Sequence, residues 1–214
     1  MKKIVTSALA TIITPLVLNA GGIGVYIPYS LGITGNMTNT IDGHYDGGTY
    51  YPSEEYDYTY TFKNKAGIGI SYATNLTKDK VFGYKIAIEY TNPQGEDSSS
   101  SADRIDMLHT FEFGVYNTQK VRLWIGPRIN TGYRWYESGN YSQTAVELGI
   151  APAIGINVNL NEHITMAFDI DYKFAVLAGS GTLKRNAESD ITSTQEVNVQ
   201  GSTARLSIFY RFGE

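Results

Sequence analysis

Charge recurs at every second residue in several otherwise apolar stretches of the chain. Lys63, Lys65, Lys85, Arg122, Arg128, Arg134, Lys173, Arg205 and Arg211 fall in this pattern, and so do Glu89, Asp106, Glu112, Glu147, Asp169 and Asp171. A charge taken out of water must be paired or hydrated, so the first chemistry open to these residues is ion pairing. Folding the chain back on itself about Asn75–Lys80 puts Lys65 near Glu89. The same exercise aligns Arg128, Ala151 and Asp171, and the small Ala151 lets Arg128 reach Asp171. Catalysis has less to work with. Of the three histidines, His44 lies in a polar stretch, His109 in an apolar one and His163 in a short turn. None stands in an H-x-S arrangement, and no acid–His–Ser set converges. Asp42, His44, Asp46, Glu54, Glu55 and Asp57 cluster in TIDGHYDGGTYYPSEEYDY, but without the fixed spacing of a calcium loop. A solvated acidic loop is expected there. With no cysteine in the chain, thiol chemistry and thiolate metal sites are excluded. No cofactor, metal or catalytic residue is predicted.

The elements that must position these charges are strands. After Gly22 the chain alternates with period two, not with the helical period. GVYIPYSLGIT sets Val25, Ile27, Tyr29, Leu31 and Ile33 on one face; YTYTFKNKAGIGISYA sets Tyr58, Tyr60, Phe62, Ile68, Ile70 and Tyr72. VFGYKIAIEYT, RIDMLHTFEFGVY, VRLWIGPRINTGYRW, VELGIAPAIGINV and ITMAFDIDYKFAV behave alike, and an eighth segment runs from about Val199 to Phe212. The opposite faces carry Gly, Ala, Ser, Thr and the charges. Connections alternate too. Asn75–Lys80, Asn117–Lys120 and Asn159–His163 are short, while Asn36–Asp57, Asn92–Asp103, Tyr136–Gln143 and Leu177–Glu196 read as longer polar loops. This predicts an all-β fold: an eight-stranded antiparallel up-and-down barrel with short turns at one end and long loops at the other.

Residues 1–20, MKKIVTSALATIITPLVLNA, have the layout of a cleaved signal peptide: Lys2 and Lys3, an uncharged run from Ile4 to Leu18, then small residues. Residues 21–214 then form the barrel domain. Losing Lys2 and Lys3 leaves 15 basic against 21 acidic residues, a balance that argues against a nucleic-acid partner.

Interior volume decides which face meets oil. An eight-stranded barrel holds little more than its own side chains, so the large apolar set must point outward, to lipid. Tyr58, Tyr60, Tyr90, Tyr133, Trp135 and Tyr172 then fall near the long-loop rim, and Tyr72, Phe82, Tyr84, Tyr210 and Phe212 near the short-turn rim. Two aromatic bands bracketing an aliphatic belt form an interfacial girdle. Pro127 and Pro152 sit mid-strand and fall opposite each other if their strands pair about Gly139–Asn140, where one bulge would accommodate both. His109 and Asn64 are polar residues on the expected lipid face.

With its leader, eight strands and closing LSIFYRF, the chain resembles the small outer-membrane barrels of the OmpA/OmpX type. In that family the last strand is read by the outer-membrane assembly machinery, and Leu206, Ile208, Tyr210 and Phe212 match its alternation; Gly213 and Glu214 then extend past the usual end. The resemblance implies residence in the outer membrane of a Gram-negative envelope, both termini periplasmic. It implies contact with outer-membrane lipid and lipopolysaccharide, and a monomer. It says little about the task. A lumen crossed by ion pairs among Lys65, Glu89, Glu112, Arg128, Arg134, Glu147 and Asp171 predicts a plug. The leading function is then a structural or surface-interaction role through the Tyr-rich first loop, with a possible extracellular ligand. A narrow channel for small solutes or ions is the alternative, and a lipid-modifying enzyme ranks third.

Overall fold

The computed structural model describes residues 21–46, 48–64, 67–74, 76, 81–95, 102–185 and 190–212. Residues 1–20, where a signal peptide is expected, and Lys65 lie outside this set. The strands are β1 (Gly21–Ile41), β2 (His44–Asp46), β3 (Thr49–Tyr51), β4 (Glu54–Asn64), β5 (Ile68–Thr74), β6 (Phe82–Thr91), β7 (Pro93–Gly95), β8 (Asp103–Asn117), β9 (Val121–Ser138), β10 (Tyr141–Asn159), β11 (Ile164–Leu183) and β12 (Ile191–Phe212). β4 and β5 occupy one barrel position, because both pair with β1. β7 continues β6 and pairs with β4. The sheet runs β12-β11-β10-β9-β8-β6-β5-β1, and β12 pairs with β1 to close it. The result is a ring of eight antiparallel strands with no free edge.

Exposure is inverted relative to a water-soluble protein. Ile150 is 63 % exposed and Ile208 55 %, whereas Glu147 is fully buried and Arg128 only 2 % exposed. Outward residues of β9, β10 and β11 are aliphatic or aromatic nearly throughout, while the inward residues are small or charged. Closure brings Gly21 opposite Phe212, so both ends of the described chain lie at the short-turn end. There, Asn161 Oδ1 accepts from the His163 and Ile164 amides, 2.8 Å each, and fixes the β10–β11 turn.

Several sequence expectations change. The Tyr136–Gln143 stretch is not a long loop. Ser138 pairs with Tyr141 around a two-residue turn, because Gly139 adopts the left-handed backbone (φ 57°) a tight hairpin requires. The first and last loops also shrink, since β1, β4, β11 and β12 continue as polar strands past the apolar belt. Thr, Ser, Gln and Asn there resemble loop composition but pair as ladder.

Ile33 is inward, not lipid-facing. A bulge between Ser30 and Gly32 (φ 140°) inserts one residue and flips the alternation beyond it. The flip carries into the paired strand. Tyr58 lies opposite Met37, which packs on the inward cluster containing Ile33, and Tyr60 pairs with the buried Gly35. Tyr58 therefore belongs to the lumen side of the loop-end mouth and leaves the outer girdle; the Tyr60 side chain lies outside the described set.

Pro127 and Pro152 do face each other, but the register is unbroken on both sides. No bulge is needed. In a non-hydrogen-bonded antiparallel pair the two backbone nitrogens point away from each other, so the prolines remove no bond between β9 and β10. The second bulge lies elsewhere, between Gly114 and Tyr116.

At Gly126 of β9 an added Cβ would stand 1.7 Å from the Phe111 carbonyl oxygen of β8. The obstacle is backbone and cannot rotate away. Gly126→Val is therefore expected to abolish the folded barrel, since overpacking costs about 1–3 kcal/mol or more even where side chains can adjust. A gel comparing boiled and unboiled samples reads this directly. A normal fast-migrating folded band for the variant would contradict the strand spacing.

Candidate functional site: the charged lumen and the loop-end surface

Inward alternation on eight strands brings the charges to one axis. Near the middle, Arg128 of β9 donates from Nη2 to Asp169 Oδ1 at 2.8 Å, from Nε to Thr110 Oγ1 at 2.8 Å, and also to Asp171. Arg205 of β12 bonds Glu89 at 2.9 Å and shares Asp171. Lys85 reaches Asp169 at 2.7 Å and lies 5.2 Å from the ring centre of the buried Trp124, a cation–π contact. Toward the short-turn end Arg122 bonds Glu112 at 2.6 Å. Toward the loop end Glu147 accepts from Arg104 (2.9 Å), Arg134 (2.7 Å) and Lys173 (2.6 Å), with Asn130 at 3.0 Å. Arg104 also bonds Asp106.

Arg128 and Asp171 thus meet, although the strand register sets Ala153, not Ala151, opposite Asp171. Glu89 faces Gly69 across the β5–β6 pairing, four positions from the register that would have put Lys65 there, and its carboxylate goes to Arg205. Lys65 itself lies outside the described residues. Sequence reasoning missed Arg104, whose spacing of two from Asp106 was the available clue. It also missed an apolar inner cluster of Ile33, Ala145, Ala175, Leu177, Val197 and Val199 at the loop end. A second apolar cluster, Ala73, Leu76, Ala167 and Phe209, packs at the short-turn end. Between the middle and loop-end charge clusters the void is only about 20 Å³, room for one water.

The outward aromatics form two bands. Tyr133 stacks on Trp135 and Tyr172 meets Phe174 edge-on, 5.9 and 4.9 Å between ring centres, with Tyr90 bonded to Asp103 nearby. At the other rim Tyr72 lies against Phe212 (6.3 Å), Tyr84 against Phe111 (5.4 Å) and His163 against Tyr210 (5.8 Å). Leu206, Ile208 and Tyr210 are more than half exposed, on the outer face. His109 is outward too, and its polarity is satisfied: Nδ1 lies 2.5 Å from the Tyr84 hydroxyl. The Asn64 side chain is outside the described set. The histidines do not converge, since His44 stacks on Tyr51 in the first loop and His163 sits at the opposite end. Among the described residues no three metal-ligating side chains come together.

At the loop end β2 and β3 form a small hairpin that leaves Tyr45, Tyr50 and Tyr51 exposed. Arg185 from the β11–β12 connection donates to Asp46 (2.6 Å) and to the Tyr45 carbonyl (3.3 Å), and the Asp42 amide donates to Thr192 O (2.9 Å). The first and last loops are thereby joined into one surface.

An apolar outer belt, two aromatic bands and a packed, charged lumen define a transmembrane β-barrel, built on the plan of the small outer-membrane barrels. Comparison with solved structures agrees. The chain matches the outer membrane protein OprG from Pseudomonas aeruginosa with a TM-score of 0.56 at 11 % identity, covering 92 % of this chain and 98 % of that one. Ail from Yersinia pestis matches at TM-score 0.37 and 17 % identity, covering 90 % of this chain and 99 % of that one. Neisserial surface protein A matches at 0.37 and 10 %, covering 85 % and 95 %. At these identities the likeness is one of fold. No protein-family model matches the chain, and no curated protein sequence is significantly similar.

Proposed function

We propose that the protein is a non-conducting, non-enzymatic barrel of a Gram-negative outer membrane that works through its loop-end surface. The carrying observation is the filled lumen: Arg128, Arg205 and Glu147 cross it with ion pairs, and apolar clusters pack at both ends. The OprG fold, that of an outer-membrane protein, supports the location. In this reading the short-turn end and both termini are periplasmic. Leu206, Ile208, Tyr210 and Phe212 serve the assembly machinery, and the outer belt contacts phospholipid and lipopolysaccharide. The barrel acts as a monomer without a nucleic-acid partner, and the tyrosine-bearing hairpin offers contact area to an extracellular ligand. A narrow channel needs a continuous water path through this packing.

An epitope inserted at Gly48, the turn of the hairpin, should be detected on intact cells. Proteoliposomes of the full chain should swell no faster in small sugars than empty liposomes. Detection only after permeabilisation would reverse the topology, and rapid swelling would favour the channel. Deleting Asp42–Glu54 removes the hairpin but leaves the ring pairings of β1, β5 and β12. That variant is expected to keep heat-modifiable migration; its loss would mean the hairpin belongs to the fold.

A further inference from the structure

A trough on the outer wall changes polarity across its width. Strand register sets two rows of outward side chains across β10, β11, β12 and β1. One row runs Ile150–Phe174–Gln200–Thr34, and the next runs Leu148–Val176–Asn198–Asn36. Between them lies the row Gly149–Ala175–Val199, which faces the lumen, so the trough has backbone for its floor. It encloses about 430 Å³. The half on β10 and β11 is wholly apolar and exposed. The half on β12 and β1 is three amides and a hydroxyl, all exposed.

Place and chemistry together select the occupant. The trough opens on the lipid-facing wall at the loop-end rim. Ser202 pairs with the girdle residue Tyr172, and Gln200 and Asn198 take the next two outward positions toward the loops. Acyl chains give way to head groups at the depth of an aromatic band. Amides and hydroxyls both donate and accept hydrogen bonds. The Asn198 and Gln200 amides and the Thr34 hydroxyl bond no other described side chain, and Asn36 commits only its oxygen, which accepts from Thr59 at 3.0 Å. Among the described residues no charged side chain lines the trough, and the next outward residue of β12 is Glu196. A phosphate head is held by Arg or Lys and repelled by a carboxylate. A sugar presents hydroxyls that donate and accept in turn, which is the chemistry these four side chains match.

We propose that the trough seats one glycolipid of the outer leaflet, with an acyl chain along Phe174 and Val176 and a head-group sugar on Gln200, Asn198, Thr34 and Asn36. The choice of leaflet rests on the topology proposed above; the contact itself does not.

The site is tested on residues 21–214 refolded in micelles. The barrel is given equal amounts of glucosyl diacylglycerol and phosphatidylglycerol with the same acyl chains, and the lipid it retains is counted by native mass spectrometry. The expected result is one glucosyl lipid per chain, favoured about tenfold over phosphatidylglycerol, the ratio that one or two net hydrogen bonds give. Gln200→Leu with Asn198→Leu should abolish that preference and keep heat-modifiable migration, since both side chains are exposed. Equal retention of the two lipids would overturn the site, and so would a preference for the phospholipid. A glucosyl preference that survives the double substitution would place the lipid elsewhere. A mass of two chains without lipid would give the trough to a second copy. Should the double variant fail to fold, Gln200→Leu alone is read in the same way. The Gly48 epitope reads the topology independently, so a reversed barrel and an empty trough are told apart.

Discussion

Replacing Glu147 with Gln is expected to lower barrel stability by about 3–5 kcal/mol, the usual penalty for breaking a buried ion pair by removing one partner. Glu147 is fully buried and its two oxygens take Arg104, Arg134 and Lys173, all within 2.9 Å. Gln keeps the shape and one acceptor oxygen but no charge. All three cations would then lose the carboxylate they share, with an apolar wall beside them. The attraction lost is large because little water screens it. Urea titration of the folded band reads the effect as a lower midpoint at constant slope. Changing Arg134 or Lys173 to Met together with Glu147→Gln should restore part of the loss, because fewer charges are left unpaired. A shift below about 1 kcal/mol for Glu147→Gln, the size typical of exposed pairs, would mean that the loop-end lumen is open to water.

Arg128→Ala is the second large effect, and it separates stability from permeation. Arg128 is 2 % exposed and bonds Thr110, Asp169 and Asp171 at once. Alanine leaves a cavity the length of the guanidinium arm. Lys85 still holds Asp169 and Arg205 still holds Asp171. The stability loss should therefore lie at the lower end of the same range, about 3 kcal/mol. A plug made of ion pairs alone would leak once this pair is broken. The structure adds the Ile33–Leu177–Val197 cluster toward the loops and Phe209 with Leu76 toward the short turns. Arg128→Ala alone is therefore expected to stay silent in a planar bilayer. Adding Leu177→Gly and Phe209→Ala should be needed before steady current appears. Current from Arg128→Ala by itself would show that the apolar clusters do not seal the lumen.

Most of the barrel was legible because lipid and lumen impose opposite demands on adjacent residues. Alternation in the closing strand put Leu206 and Ile208 outward and Arg205 inward, and the structure has them so. What failed had one physical origin: alternation holds only while no residue is inserted. The bulge between Ser30 and Gly32 moved Ile33 inward and took Tyr58 out of the girdle, and nothing in the spacing of GVYIPYSLGIT announced it. The polar ends of β1, β11 and β12 read as loops because composition, not alternation, was weighed there. Pairing depends on register as well as face. Arg128 meets Asp171 despite an error of two positions because the arginine arm is long, whereas Glu89 found Arg205, a residue distant in sequence but adjacent across the lumen.

Single-channel recording of refolded residues 21–214 in a planar bilayer tests the closed lumen most directly, once heat-modifiable migration shows the barrel has formed. A folded barrel with no steady conductance is the expected result and sends the search for function to the loop-end surface. Steady, ion-selective current from the unsubstituted chain would contradict the packed lumen and make its charged lining the functional site.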